Sequence, residues 1–266
     1  MESKFSRTEM LLGHQALEVL RNSRVAVFGV GGVGSYAVEV LARSGVGAID
    51  IFDNDVVSPS NINRQLIALE TTVGRPKVEV AAERIRAINS DCRVTPHQMF
   101  YLPERAAEVD LRVFDYVVDC IDTVKAKMDL ACRCHELGVP MISSMGAANK
   151  LDATRLCVTD LYKTKMDPIA KIMRKKLRKL GVTHLKVVYS DEEPLPSFRE
   201  QGEVPSSDMS SANDTAVGEA QQETASHTRP VPASVAFVPG VAGLIIGGEV
   251  VKDLISIHDS KNNSNS

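Results

Sequence analysis

A mostly parallel β-sheet with helices on both faces is the fold class predicted for this chain of 266 residues. Three observations predict it. Short apolar runs alternate with helical patterns from residue 24 to 144, as strand–helix–strand units require. A glycine motif, Gly29-x-Gly31-x-x-Gly34, joins the first apolar run to the first helical pattern. An acid, Asp53, closes the second run, where a nucleotide-binding sheet places its ribose acceptor.

After an N-terminal arm over 1–23, "RVAVFG" (24–29) reads as an all-apolar buried strand. The helix behind it ends near Arg43, with Gly45 as its stop. "AIDIFD" (48–53) is the second strand. "RPKVEVAAERIRAIN" (75–89) is a helix with Pro76 at its start, where a missing N–H costs nothing. "FDYVVDCID" (114–122) is read as the third core strand, a helix follows to Gly138, and "VPMISSM" (139–145) is the fourth. The Rossmann-like unit is assigned to 24–162 on these grounds.

A C-terminal extension breaks the regularity. "KTKMDPIAKIMRKKLRKL" (163–180) carries eight Lys/Arg against one Asp, a local charge of +7. Asp167 is the expected N-cap of a basic helix, Pro168 its first-turn proline and Gly181 its end. Ile169, Ile172, Met173, Leu177 and Leu180 share one face. Lys171, Arg174, Lys175 and Arg178 project from the rest. A strand follows up to residue 190. Residues 191–231 form an expected disordered acidic loop, with nine acids against two arginines over 191–230 and no apolar period. A local +7 in a chain of net −3 points to a polyanion partner, and the acidic loop reads as a shield for the basic face when that partner is absent. "PASVAFVPGVAGLIIGGEVVKDLI" (232–255) is too interrupted by Pro239, glycines and Glu249 to span a membrane. It reads as a buried apolar helix or a subunit interface ending near 258, with a disordered tail over 259–266.

Composition bounds the function. Net charge is −3 and no basic-then-apolar leader opens the chain, so a cytoplasmic protein without a membrane segment is expected. Cys92, Cys120, Cys132, Cys134 and Cys157 are odd in number and contain no C-x-x-C pair. Structural zinc is therefore not expected, and all five read as reduced thiols.

The glycine motif and Asp53 argue for nucleotide binding, through a tight turn, close backbone approach and a helix N-terminus facing phosphate. They do not choose between a nicotinamide cofactor and ATP. "DNDVVSPSNINRQ" (53–65) does. Hydride transfer has no use for Asn61 and Arg64 in the loop behind the ribose acid, with Lys77 at the next helix start. Arg and Lys can hold a triphosphate, and a carboxylate such as Asp122 can hold Mg²⁺. That set suits attack on an α-phosphate. Taken singly, Arg64 is a surface cation, Lys77 a first-turn residue and Asp119 a satisfied strand end.

The segments "KFSRTEMLLG", "GVGGVGS", "DNDVVSPSNINRQ", "GRPKVEVAAERI" and "DCIDTVKAK" resemble the adenylating superfamily. That superfamily includes ubiquitin-activating enzymes and the bacterial activators of molybdopterin and thiamine sulfur carriers. The resemblance implies ATP and Mg²⁺ as cofactors. It places Gly29, Gly31, Gly32, Gly34, Asp53, Asn61, Arg64, Gln65 and Lys77 around the nucleotide, with Asp122 on the metal. It also implies a homodimer in which Arg7, within "FSRTE", reaches the neighbouring subunit's site, so that Arg7, Arg64, Lys77 and Asp122 form the catalytic set. Residues 143–179 resemble the branch that cyclises threonylcarbamoyladenosine in tRNA with loss of water. That likeness implies tRNA as the polyanion, and Lys171, Arg174, Lys175 and Arg178, projecting from the basic helix, are the residues expected to bind it. It also admits a monovalent cation and a sulfur-transfer protein as further companions. Relatives with a cysteine near "VVYSDEEP" (187–194) differ from this chain, which has none there, and a thioester step is not expected. The competing readings are activation of a sulfur-carrier protein's C-terminus, a nicotinamide-dependent oxidoreductase, and a non-catalytic RNA-binding adaptor.

Overall fold

The computed structural model describes residues 3–196 and 233–264, with side chains up to residue 260. The chain opens with α1 (Ser6–Leu12) and α2 (His14–Asn22), the latter burying Ala16, Leu17 and Leu20. The strands are β1 (Arg24–Phe28), β2 (Ala48–Asp53), β3 (Arg93–Gln98), β4 (Tyr116–Asp119), β5 (Met141–Ser144), β6 (Leu156–Asp160) and β7 (Lys186–Ser190). They form one sheet of order β3-β2-β1-β4-β5-β7-β6. Every pairing is parallel except β6 with β7. The α/β architecture is therefore the expected one.

β3 is absent from the sequence reading. It is an edge strand, half-exposed along its length, and Pro96 lies in its middle. A strand that faces water on one side and carries proline lacks the continuous apolar run by which β1, β2 and β4 announce themselves. Residues 114–122 therefore supply the fourth strand in chain order, and 139–145 the fifth.

The helices are α3 (Gly34–Ser44), α4 (Lys77–Ile88), α5 (Val124–Leu137), α6 (Pro168–Lys179) and α7 (Phe237–Ser264). Gly45 closes α3 and Gly138 closes α5, both in the left-handed region that only glycine adopts freely. One core lies under α3, α4 and α7, and a second lies under α5 and α6 on the opposite face. Close approach of α7 to α3 depends on small residues. A methyl on Gly243 would lie 2.2 Å from the Val33 carbonyl, and one on Gly247 would lie 2.5 Å from Val40 Cβ. The apolar C-terminal run is thus a buried helix within the domain. It continues past 258 to Ser264, because neither glycine nor proline follows to stop it.

The basic helix matches its predicted span, with the Asp167 side chain accepting the Ala170 N–H at 2.8 Å. Its packing face differs from the expected stripe. Ala170, Met173 and Leu177 are buried, whereas Ile172 and Leu180 are 43% and 57% exposed. Ala170, too small to mark an apolar stripe in the sequence, is wholly buried and turns the packed face away from Ile172 and Leu180.

The start of the acidic stretch is held at Asp191, Glu192 and Leu195. Arg155 pairs with Asp191, and the Glu192 carboxylate accepts the N–H groups of Leu151 and Asp152. The rest of the expected acidic loop, 197–231, lies outside the described residues. All five cysteines are free. Among the described residues no helix is long and apolar enough to cross a membrane.

Candidate active site

From β1 the chain leaves through α3 to β2 on one side, while β4 lies on the other. Sheet order therefore reverses between β1 and β4, and a crevice opens beyond their C-terminal ends. The loop after β1 carries the glycines, and the loop after β4 carries Asp122.

Two of the glycines are demanded by the fold itself. Gly29 has φ 86°, and a Cβ there would sit 2.7 Å from the Cys120 carbonyl; one at Gly34 would sit 1.8 Å from the Gly29 carbonyl. Gly31 and Gly32 face more open surroundings. Among the described residues no hydrogen bond uses the N–H groups of Gly31, Gly32 or Val33. These free donors precede the N-terminus of α3, an arrangement suited to an anion.

Asp53 shapes that loop. One carboxylate oxygen accepts the Val30 N–H at 2.7 Å and the other accepts the Asp55 N–H at 2.9 Å. Burial raises the Asp53 pKa above the ordinary carboxylate value, opposed by nearby Lys77 and by the two N–H groups.

Asn61 is buried in the short turn Pro59–Asn61, its side-chain oxygen accepting the Ser58 N–H at 3.1 Å. Gln65 is also buried, and its Oε1 has no hydrogen-bond partner among the described residues. Its Nε2 is the nearest atom to the open face of Gly31. An unsatisfied buried acceptor costs roughly 1–3 kcal/mol, and a bound molecule offering a hydroxyl or amine here would remove that cost.

Lys77 is the first residue of α4, an unfavourable place for a cation because the helix dipole is positive there. Its side chain is only 6% exposed, and Nζ is held 2.7 Å from Asp55 Oδ2. Asp55 was missed in the sequence, although its spacing two residues behind Asp53 on an exposed turn was a usable signal. Arg64 is half-buried, with Nη1 donating to the Ser60 carbonyl at 2.8 Å and to Asn63 Oδ1 at 2.9 Å. Its Cγ lies 3.5 Å from where a Gly32 methyl would be. Arg64 and Gln65 therefore adjoin the glycine loop.

Asp119 and Asp122 separate into different roles. Asp119 is fully buried, paired with Lys127 at 2.9 Å and accepting the Ser143 hydroxyl at 2.5 Å. It is a satisfied strand end, and Lys127 also donates to the Ser144 carbonyl, tying β4 and β5 to α5. Asp122 is exposed at the edge of the crevice. Among the described residues no group of three or more His, Cys, Asp or Glu could hold a metal alone. A Mg²⁺ carried in on phosphates takes only one or two protein carboxylates, so a single Asp122 fits that ion.

The remaining expected site residues lie elsewhere. Arg7 is exposed on α1, and among the described residues no hydrogen bond or ion pair holds it. On α6, Lys171 and Lys175 are exposed, and the Arg178 guanidinium lies 5.2 Å from the Tyr162 ring centroid. Arg174 departs from the expectation that it points outward. It is half-buried and donates to the Thr164 carbonyl and hydroxyl, bracing the turn before the helix.

A mostly parallel sheet with a glycine loop at its switch point, beside Arg64 and a buried glutamine acceptor unpaired among the described residues, defines a nucleotide-binding protein. The chain belongs to the ThiF family, whose model matches residues 5–266. It is 47% identical over 256 residues to the tRNA threonylcarbamoyladenosine dehydratase of Bacillus subtilis (strain 168), covering 96% of each protein. Among solved structures it is similar to E. coli tRNA N6-threonylcarbamoyladenosine dehydratase in complex with ATP. The TM-score there is 0.79 at 31% identity, over 97% of this chain and 96% of that one. The same enzyme in complex with AMP superposes with TM-score 0.79 at 32% identity over the same shares.

Proposed function

We propose that this chain is an ATP-dependent enzyme that cyclises threonylcarbamoyladenosine in tRNA by adenylating its carboxylate. The observation that carries the reading is the conjunction at the β1–β4 crevice. Loop N–H groups unused among the described residues have Gln65 and Arg64 beside them, with Lys77 near Asp53, within a fold shared along its length with dehydratases of that specificity.

In this reading Asp53 accepts from the ribose, and Gln65 and the Gly31–Gly32 backbone approach the nucleotide. Asn61, Arg64 and Lys77 handle the phosphates. Mg²⁺, held by Asp122, supplies charge neutralisation on the phosphate oxygens. The substrate carboxylate oxygen attacks the α-phosphorus and pyrophosphate leaves. The carboxylate, a poor leaving group, thereby becomes an acyl adenylate. A nitrogen of the same side chain attacks the acyl carbon, loses its proton, and AMP departs as the ring closes. The nucleophile is tethered, so effective molarity replaces a catalytic thiol. Arg64 and Lys77 stabilise charge that develops during adenylyl transfer.

The protein acts as a homodimer in this reading, with Arg7 completing the neighbouring subunit's site; an exposed Arg7 that no hydrogen bond or ion pair holds among the described residues, beside exposed Met10 and Leu11, supports it. The exposed face of α6 receives the tRNA backbone through Lys171, Lys175 and Arg178. Incubation with ATP, Mg²⁺ and tRNA bearing the modified adenosine, followed by mass spectrometry of the nucleosides, tests the reaction. Loss of one water from threonylcarbamoyladenosine is expected; an unchanged nucleoside with ATP intact would overturn the reading.

A further inference from the structure

Arg64 is fixed by two acceptors, and they differ in kind. The Ser60 carbonyl belongs to Arg64's own turn. Asn63 Oδ1 belongs to a side chain whose other end donates, through Nδ2, to the Ser234 carbonyl at 3.0 Å. The orientation of this amide is chemically determined: a guanidinium can only donate and a carbonyl can only accept. Aspartate at position 63 would put a carboxylate against the Ser234 carbonyl, and alanine would release Arg64 from it.

The anchor at Ser234 is itself tied down. Its neighbour Ala233 exchanges two hydrogen bonds with Asn149, the Ala233 N–H donating to Asn149 Oδ1 and the Asn149 N–H donating to the Ala233 carbonyl, both at 2.7 Å. The Asn149 carbonyl accepts the Leu195 N–H, also at 2.7 Å. One residue thus joins both described ends of the connection between β7 and α7. It does so with φ 59°, a left-handed conformation that asparagine tolerates better than other side chains apart from glycine. Glu192 secures the same loop by accepting the Leu151 and Asp152 N–H groups.

We infer that Asn63 is a positioning residue for Arg64, and that its hold derives from the Asn149 joint. The inference rests on the reading of Arg64 as a phosphate-handling group. A long, flexible cation reaches a reacting phosphate productively only when its rotamers are restricted beforehand. Asn63 supplies that restriction through Ser234, 171 residues away, so the described end of the chain leading into α7 sets the geometry of the phosphate site.

A double-mutant cycle on the intact protein tests this, with ATP and modified tRNA as substrates and kcat and KM for ATP measured separately. Arg64→Ala should lower kcat/KM. Asn63→Ala should lower it about five- to tenfold, with an unchanged melting temperature, because the side chain is exposed. In the Arg64→Ala background Asn63→Ala should cost less than about twofold, since it acts only through the missing guanidinium. Asn149→Gly, which keeps the left-handed backbone and removes the acceptor, should lower kcat/KM in the same direction, and Asn149→Asp should recover most of that loss. Additive losses at 63 and 64, or wild-type kinetics for Asn63→Ala beside an impaired Arg64→Ala, would overturn the inference. Wild-type kinetics for Arg64→Ala would instead overturn the phosphate reading, and this inference with it.

Discussion

Gly31→Ala separates what the glycine loop does for the fold from what it does for a ligand. A Cβ at Gly34 would overlap the Gly29 carbonyl at 1.8 Å, so Gly34→Ala should not fold normally. At Gly31 the nearest atom to such a Cβ is Gln65 Nε2 at 3.8 Å, an ordinary contact. Nor does Gly31 have positive φ. The ligand-free Gly31→Ala protein should therefore match or exceed wild-type stability, by up to about 1 kcal/mol through reduced unfolded-state entropy. Its methyl would project into the space bounded by the free loop N–H groups and Gln65. With ATP at a hundredfold excess over Kd, wild type should gain about 2.7 kcal/mol, a rise in Tm of roughly 5–10 °C for a chain of this size. A hundredfold weaker Kd would cut the gain to about 0.4 kcal/mol, or less than roughly 2 °C. Thermal unfolding with and without ATP reads both quantities. A full ATP-induced shift in Gly31→Ala would show that the nucleotide does not approach over Gly31, and a collapsed ligand-free protein would refute the steric argument.

Asp122→Asn and Arg64→Ala should each reduce pyrophosphate release roughly a hundredfold, about 3 kcal/mol in the transition state, while Tm stays near wild type; normal turnover in both would remove them from the site. Lys127→Ala leaves the Asp119 carboxylate buried without its cation, and should cost about 3–5 kcal/mol in denaturant unfolding; a neutral effect would contradict a charged buried pair. Replacing Lys171, Lys175 and Arg178 with Gln should lower the salt slope of tRNA binding by roughly 0.7–0.9 per lost phosphate contact and spare ATP affinity. Adding Arg174→Gln should also lower Tm, because Arg174 braces Thr164. Burial pushes the Cys92 thiol up to about 11 and the Cys120 and Cys134 thiols up to about 12. The folded state therefore keeps protons that the unfolded state loses, and stability should fall as pH rises from about 9 towards 12. Near neutral pH, thiol reagents should label exposed Cys157 first, and Cys157→Ala should still cyclise the substrate.

The sequence by itself determined those features that depend on neighbours along the chain. The periods of β1, β2, β4 and α3 were legible because strands covered on both faces and a helix stopped by glycine leave continuous local patterns. The Asp167–Pro168 start of the basic helix was legible for the same reason: a cap acts within one turn. The likeness of five short segments to an adenylating superfamily led to the family the chain belongs to, because its glycine loop and "NINRQ" turn are read at fixed spacing. Tertiary structure decided everything that depends on distant partners. It alone placed β3, whose half-wet edge and Pro96 hide its period, and chose Ala170 over Ile172 as part of the buried face of α6. It alone divided Asp119 from Asp122, two acids three residues apart. One meets Lys127 and Ser143 in the core; the other stands at the open crevice. The tie from Arg64 through Asn63 to Ser234 spans 171 residues. No local pattern records such a contact, because its free energy comes from groups that only the folded sheet brings within hydrogen-bond reach.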